Sequence, residues 1–181
     1  MNTSEKTPEE KDEEERTTPV GLFHVADSYW GAAHALAPVK LETTHPDFPI
    51  SFLYYHAIEL YLKAFLRLHG HMPRELRERY GHKTSTLSKR ATELGLRLRA
   101  EDKAVLSLMA TTEEVIRSRY IRTGFTTWPP FDALDRTCHS LRDSIFDAMV
   151  KRGEPVRPFR PATSLHASKA QIGRTRQPKR A

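Results

Sequence analysis

Within HAIELYLKAFLRLHG, residues 56–70, four polar side chains recur at helical spacing: His56, Glu59, Lys63 and Arg67. At 100° per residue they fall within about 80° of one another, forming one lane along a helix. A carboxylate, an imidazole and two cations in line can hold a phosphate or position a general acid or base. The same lane can also be purely structural, an ion-pair network that ties a core helix to its neighbours and perturbs pKa values without doing chemistry. Glu59 and Lys63 stand four apart with the acid first, the favourable order for a pair. Leu53, Tyr54, Ala57, Ile58, Leu60, Tyr61, Leu62, Ala64, Phe65 and Leu68 occupy most of the remaining circumference. The spacing therefore predicts a central helix, packed on several sides, with one polar lane.

The elements around it are helical too. In TPVGLFHVADSYWGAAHALA, Thr18 is a cap and Pro19 suits the first helical position. Phe23, Ala26, Trp30, Ala33 and Ala37 share a face until Pro38 stops the helix. The lane helix starts after HPDFP, with Asp47 as its cap, and runs to about Gly70. HMPRELRERYGHKTST reads as a basic, mobile link to a shorter helix carrying Leu87, Ala91 and Leu94, closed by Gly95. A fourth helix, about 101–120, turns Val105, Leu108, Met109, Ile116 and Tyr120 inward, and TGFTTWPP breaks the chain. A fifth, about 131–150, carries Leu134, Cys138, Leu141, Ile145 and Met149 as an apolar stripe. No internal repeat or strand pattern is present. The expected fold is all-α, an antiparallel bundle of about five helices.

Charge divides the 181 residues into three parts. Residues 1–18 carry a net −4 and residues 151–181 a net +8, leaving +2 for the body, 19–150. Both ends lack apolar periodicity and are expected to be disordered, an acidic N-terminal arm and a basic C-terminal tail. Cys138 is the single cysteine, which excludes an intramolecular disulfide and a cysteine-based zinc site,. The polar N-terminus is unlike a secretory signal, and no apolar run approaches the roughly 20 residues that span a bilayer. A cytoplasmic protein with no membrane contact is expected.

AIELYLKAFL, then GHKTSTL opening the next helix, then SRY later in the chain resemble the HEPN family of helical domains across residues 19–150. That resemblance implies a Glu-x-x-x-Lys pattern at Glu59 and Lys63, and a His-Asp-Leu-like turn at His82, with Lys83 in place of the acid. It also implies an Arg-Tyr pair at Arg119 and Tyr120. Family members include metal-independent RNases of bacterial toxin–antitoxin and defence systems, companions of nucleotidyltransferases, and scaffolding modules. The nucleases pair an Arg with a His after four to six intervening residues, because a His can exchange a proton with the 2′-hydroxyl while Arg stabilises the phosphorane. Two literal matches occur here, Arg77 to His82 and Arg160 to His166. With nine His and 19 Arg about three are expected by chance, and neither lies on a late helix,. Arg119 is followed by YIRTGF, without a His.

The resemblance thus implies an RNA- or nucleotide-associated interaction module of a two-gene system, without the nuclease pair in its usual place. The alternative is a divergent metal-independent RNase using His82 or Arg119. Implied partners are RNA or a nucleotide, a nucleotidyltransferase or antitoxin protein, or a second copy of the chain as a homodimer; no cofactor is implied. Candidate binding residues are His56, Glu59, Lys63, Arg119 and Tyr120, with Arg74, Arg77 and Arg79 as the phosphate-facing run. The tail could touch phosphates, but 161–181 has no aromatic residue on which bases could stack,. No His-x-x-x-His or His-Glu-x-x-His pair exists, so no metal site is expected. Cys138 reads as a small buried hydrophobe, since its neighbour His139 points about 100° away.

Overall fold

The computed structural model describes residues 7–40, 42–111 and 128–158. Every regular element among them is helical. They are α1 (Pro8–Arg16), α2 (Pro19–Leu36), α3 (Asp47–Leu68), α4 (Pro73–Glu75), α5 (Thr84–Glu93), α6 (Ala100–Thr111) and α7 (Phe131–Lys151). No described helix is long and apolar enough to cross a membrane.

Helix α3 is the centre. It packs on α2, α5 and α7, while α6 bridges α5 and α7. The expected crowding of its circumference is observed: fourteen of its 22 residues are buried. Phe23, Ala26, Trp30 and Ala33 of α2 and Leu134, Cys138, Leu141, Ile145 and Met149 of α7 complete the core. On α6 the inward positions are Val105, Leu106 and Met109, with Leu108 only half-buried. Ile116, Arg119 and Tyr120 lie outside the described residues.

Caps mark some of the boundaries. Thr18 accepts a hydrogen bond from the Gly21 amide at 2.9 Å, with Pro19 in the first turn of α2,. Asp47 is not a cap. Pro46 occupies that position, and Asp47 is the first helical residue, where a carboxylate still favours the helix dipole,. Gly95, at φ +97°, closes α5,.

Three stretches carry helical or packed structure beyond what the sequence pattern indicated. The stretch after Gly70 is not a mobile link, because α4 widens into a π-helical turn over Leu76–Tyr80. Leu76 and Tyr80, four apart, are both buried there, and that burial orders the segment. Within residues 1–18, the described part, 7–18, contains α1. Its chain of acids carries an i,i+4 pair, Asp12 to Arg16 at 2.8 Å, with Arg16 in the last turn, where a cation complements the dipole,. The folded body also runs past residue 150. Gly153 turns the chain at φ +76°, Arg152 donates from Nη1 to the Leu68 carbonyl, and Val156 packs against the core.

Candidate functional site

Glu59 sits in the middle of α3 with 1% of its surface exposed. An isolated carboxylate there would be very costly, so the structure must supply partners. It supplies two directly. Lys63 Nζ donates to Oε1 at 2.7 Å, the i,i+4 pair expected from spacing. His82 Nδ1 donates to both oxygens, at 3.0 Å to Oε1 and 3.1 Å to Oε2. His56 approaches from one turn earlier, its Nδ1 4.0 Å from Oε2, longer than a hydrogen bond,. Burial alone would raise the Glu59 pKa, but His56, Lys63 and His82 overcome it and hold the group down to about 2. The carboxylate is therefore ionised across the physiological range and is no general acid.

What Glu59 does is orient His82. The π-helical turn ends at Gly81, whose amide bonds back to Leu76 O at 3.1 Å and whose φ is +53°. That reversal swings the next residue over α3. With Nδ1 committed to Glu59, Nε2 is the ring nitrogen left for other chemistry, and the side chain is 40% exposed. This is how a buried acid fixes a histidine tautomer. His56 is held differently, stacked on Phe52 at 5.7 Å and edge-on to Tyr29 at 4.4 Å. Arg67 leaves the lane and donates to the Thr17 carbonyl at 2.8 Å, tying α3 to the start of α2.

The Arg74–Arg79 run lies immediately before this turn. Arg74 Nε pairs with Glu78 at 2.9 Å and Arg79 Nη1 with Glu75 at 3.0 Å. All three arginines are exposed, and Arg79 also lies 5.4 Å over the Tyr80 ring. His71, edge-on to the same ring, donates from Nδ1 to Glu75 at 2.8 Å and accepts from Arg90 Nε at 3.4 Å. The basic run is thereby braced against α5. The structure thus brings Glu59, Lys63, His56 and His82 together and sets Arg74, Arg77 and Arg79 beside them in sequence. Arg119 and Tyr120 fall outside the described residues.

Two polar clusters were not anticipated, one half-buried around Asp135 and one buried around Asp27. Asp135 Oδ1 accepts from Trp30 Nε1 at 2.8 Å, His34 Nδ1 at 2.9 Å and Tyr54 OH at 3.2 Å, joining α2, α3 and α7. Asp27 accepts from Tyr61 OH at 2.7 Å, with Arg142 Nε 3.6 Å and His24 Nδ1 3.7 Å from its oxygens. Burial pushes Asp27 upward, and Tyr61, Arg142 and His24 only partly offset it. One signal for Asp27 was present: it falls on the apolar stripe Phe23–Ala26–Trp30 of α2. Cys138 is completely buried and burial, with Asp135 nearby, pushes its thiol well up, so it is not a nucleophile,. Among the described residues no group of three His, Cys, Asp or Glu side chains could hold a metal ion. No family model, curated protein or solved structure matches this chain.

Proposed function

We propose that this chain is an HEPN-like antiparallel helical bundle that serves as an RNA- or nucleotide-associated interaction module in a bacterial, cytosolic two-gene system. A nucleotidyltransferase or an antitoxin protein is the partner class, and a homodimer is a compatible assembly. One observation carries this proposal: Glu59, Lys63 and His82 converge, and the turn that delivers His82 is the end of an exposed arginine run. The pairs of Arg74 and Arg79 do not oppose phosphate binding. Exposed i,i+4 pairs contribute only about 0.3–0.5 kcal/mol, so a phosphate can replace the carboxylate at little cost. Lys83, next to His82, is exposed as well.

Binding of this kind is governed by counterion release and is indifferent to base sequence except where a base is held. Affinity for a single-stranded RNA should fall steeply between 50 and 200 mM salt, as expected from about six or more phosphate contacts. Replacing Arg74, Arg77 and Arg79 together by Gln should weaken binding and flatten the salt slope by about three contacts. RNA binding that does not respond to salt, or none at all, would remove the nucleic-acid proposal and leave a protein-interaction module.

A second function is favoured by one feature, the partly exposed ring of a histidine whose Nδ1 a buried carboxylate holds. That is the posture of a general base, as a metal-independent RNase requires. Incubation of the purified protein with RNA in EDTA tests it. Cleavage that vanishes in His82→Ala or Arg119→Ala assigns the enzyme; intact RNA leaves the binding module.

A further inference from the structure

A cleft of about 330 Å³ opens between the first turns of α3 and α7, far along α3 from the Arg74–Arg79 run. Its volume lies in the range of small-molecule sites. Its walls are aromatic. Trp128 is stacked on Tyr55 at 5.8 Å and 13°, Phe48 lies 5.7 Å from Trp128, and Phe131 backs onto Tyr54 at 6.1 Å. Trp128, Phe48 and Phe131 are each only half-buried, so their rings remain available to a ligand. Aromatic walls alone would fit any flat apolar group, but two polar side chains narrow the choice. Ser51 lines the cleft at 5% exposure, and its hydroxyl has no hydrogen-bond partner among the described residues. Asp47 lines it with a carboxylate that makes no ion pair among the described residues.

We infer that this cleft binds a nucleobase, stacked against its aromatic walls, with Asp47 accepting from the base edge and Ser51 bonding the same edge. A bare phosphate is disfavoured by the Asp47 charge, and an aliphatic ligand would leave Ser51 and Asp47 unanswered. Base–aromatic stacking contributes about 1–3 kcal/mol per base in single-strand binding sites. Guanine matches best, because its N1–H and N2–H donors are adjacent and parallel, as the two oxygens of one carboxylate require. The inference deepens the RNA-associated function proposed above, but it concerns a different surface. Phosphate contacts from the arginine run would hold the backbone, and the cleft would hold one base.

The full chain titrated calorimetrically with guanosine, inosine and uridine, none of which carries a phosphate, tests this apart from the RNA proposal. Guanosine should bind saturably and about tenfold more tightly than uridine, the discrimination expected of one bidentate pair. Inosine, lacking the N2 amine, should bind more weakly than guanosine. The affinities should be insensitive to salt, unlike those for RNA. Asp47→Asn should cost about tenfold for guanosine and erase its advantage over inosine, while Ser51→Ala should cost a few-fold. Trp128→Ala should weaken all three nucleosides alike, and circular dichroism would check that the helices persist. No saturable guanosine binding, or an affinity unchanged by Asp47→Asn, overturns the assignment. Preferential capture of a Trp- or Pro-containing peptide over every nucleoside would also overturn it. Salt-sensitive RNA binding without guanosine binding would sink the cleft alone, and the reverse result would sink the arginine run alone.

Discussion

Glu59 and Asp27 are both nearly inaccessible carboxylates, yet their environments push them in opposite directions. Glu59 has a lysine and a histidine at hydrogen-bonding distance; Asp27 has one neutral hydroxyl that close and cations only at longer range. Because the Glu59 pKa is depressed in the fold, its stabilisation is complete above the unfolded value of 4.5 and is lost as pH falls toward 2,. The shift corresponds to roughly 3 kcal/mol at neutral pH. Glu59→Gln should cost about 3–5 kcal/mol, since it leaves Lys63 half-buried without a counter-charge and His82 without an anchor. Urea unfolding at several pH values should show the acid slope between pH 5 and 2 flattened in this variant; an unchanged slope contradicts the network. Asp27 has the reverse sign. Its raised pKa makes its contribution greatest below the ordinary value of 3.8 and lost as pH rises through the folded value,. Asp27→Asn keeps an acceptor for Tyr61 and should stay within about 1 kcal/mol of the parent at pH 7 in the same titration. The spacing of Glu59 and Lys63 announced their pair, because both lie on one helix. The partners of Asp27 and Asp135 could not be named from sequence, because they come from other helices. A polar residue on an apolar stripe signals a buried polar contact but not with whom.

Between residue and fold, the decisive element is the turn from α4 to α5. Its ordering was partly legible: Pro73 suits a helix start, and Leu76 and Tyr80 stand four apart,. Three arginines and two glutamates within residues 74–79 mask that signal when hydropathy alone is weighed. The π-helical geometry is not written in any residue type, since it depends on how Tyr80 packs beside His71. Gly81 is the position where the turn needs its residue. A Cβ there would meet Arg77 O at 3.6 Å, an ordinary contact, so the penalty of Gly81→Ala comes from the backbone at φ +53°. Such a conformation costs about 1–3 kcal/mol for a side chain that does not favour it. The substitution should therefore destabilise by that amount and loosen His82 from Glu59. Combined with Glu59→Gln, its effect should be less than additive in a double-mutant cycle, because both changes break one contact. Full additivity would show that the turn and the glutamate act independently.

At the scale of the whole molecule, charge and packing are segregated. Residues 159–181 hold six of the bases and no acid, so the formal net charge of +6 belongs entirely to that segment. Residues 1–158 sum to zero because the −4 of residues 1–18 offsets +4 on residues 19–158. The helical body is organised around α3, whose composition already identified it as the centre. Where the body ends was less legible, because Arg152 and Val156 look like tail residues until the Leu68 carbonyl and the core surface beside them are located. These facts predict different outcomes for two truncations. Removing 159–181 should leave the thermal midpoint unchanged, since that segment has no apolar periodicity to lose. Removing 152–181 should lower stability by about 1–3 kcal/mol, from the lost Val156 burial and the lost hydrogen bond to Leu68, a drop of several degrees. RNA binding should respond in the opposite pattern. The first truncation should already lower the salt slope by up to six contacts, and the second should lower it little further, because it adds only Lys151-proximal cations Arg152 and Arg157,. A first truncation that lowers the midpoint would place part of 159–181 on the body, and a salt slope untouched by it would confine phosphate contact to the Arg74–Arg79 run.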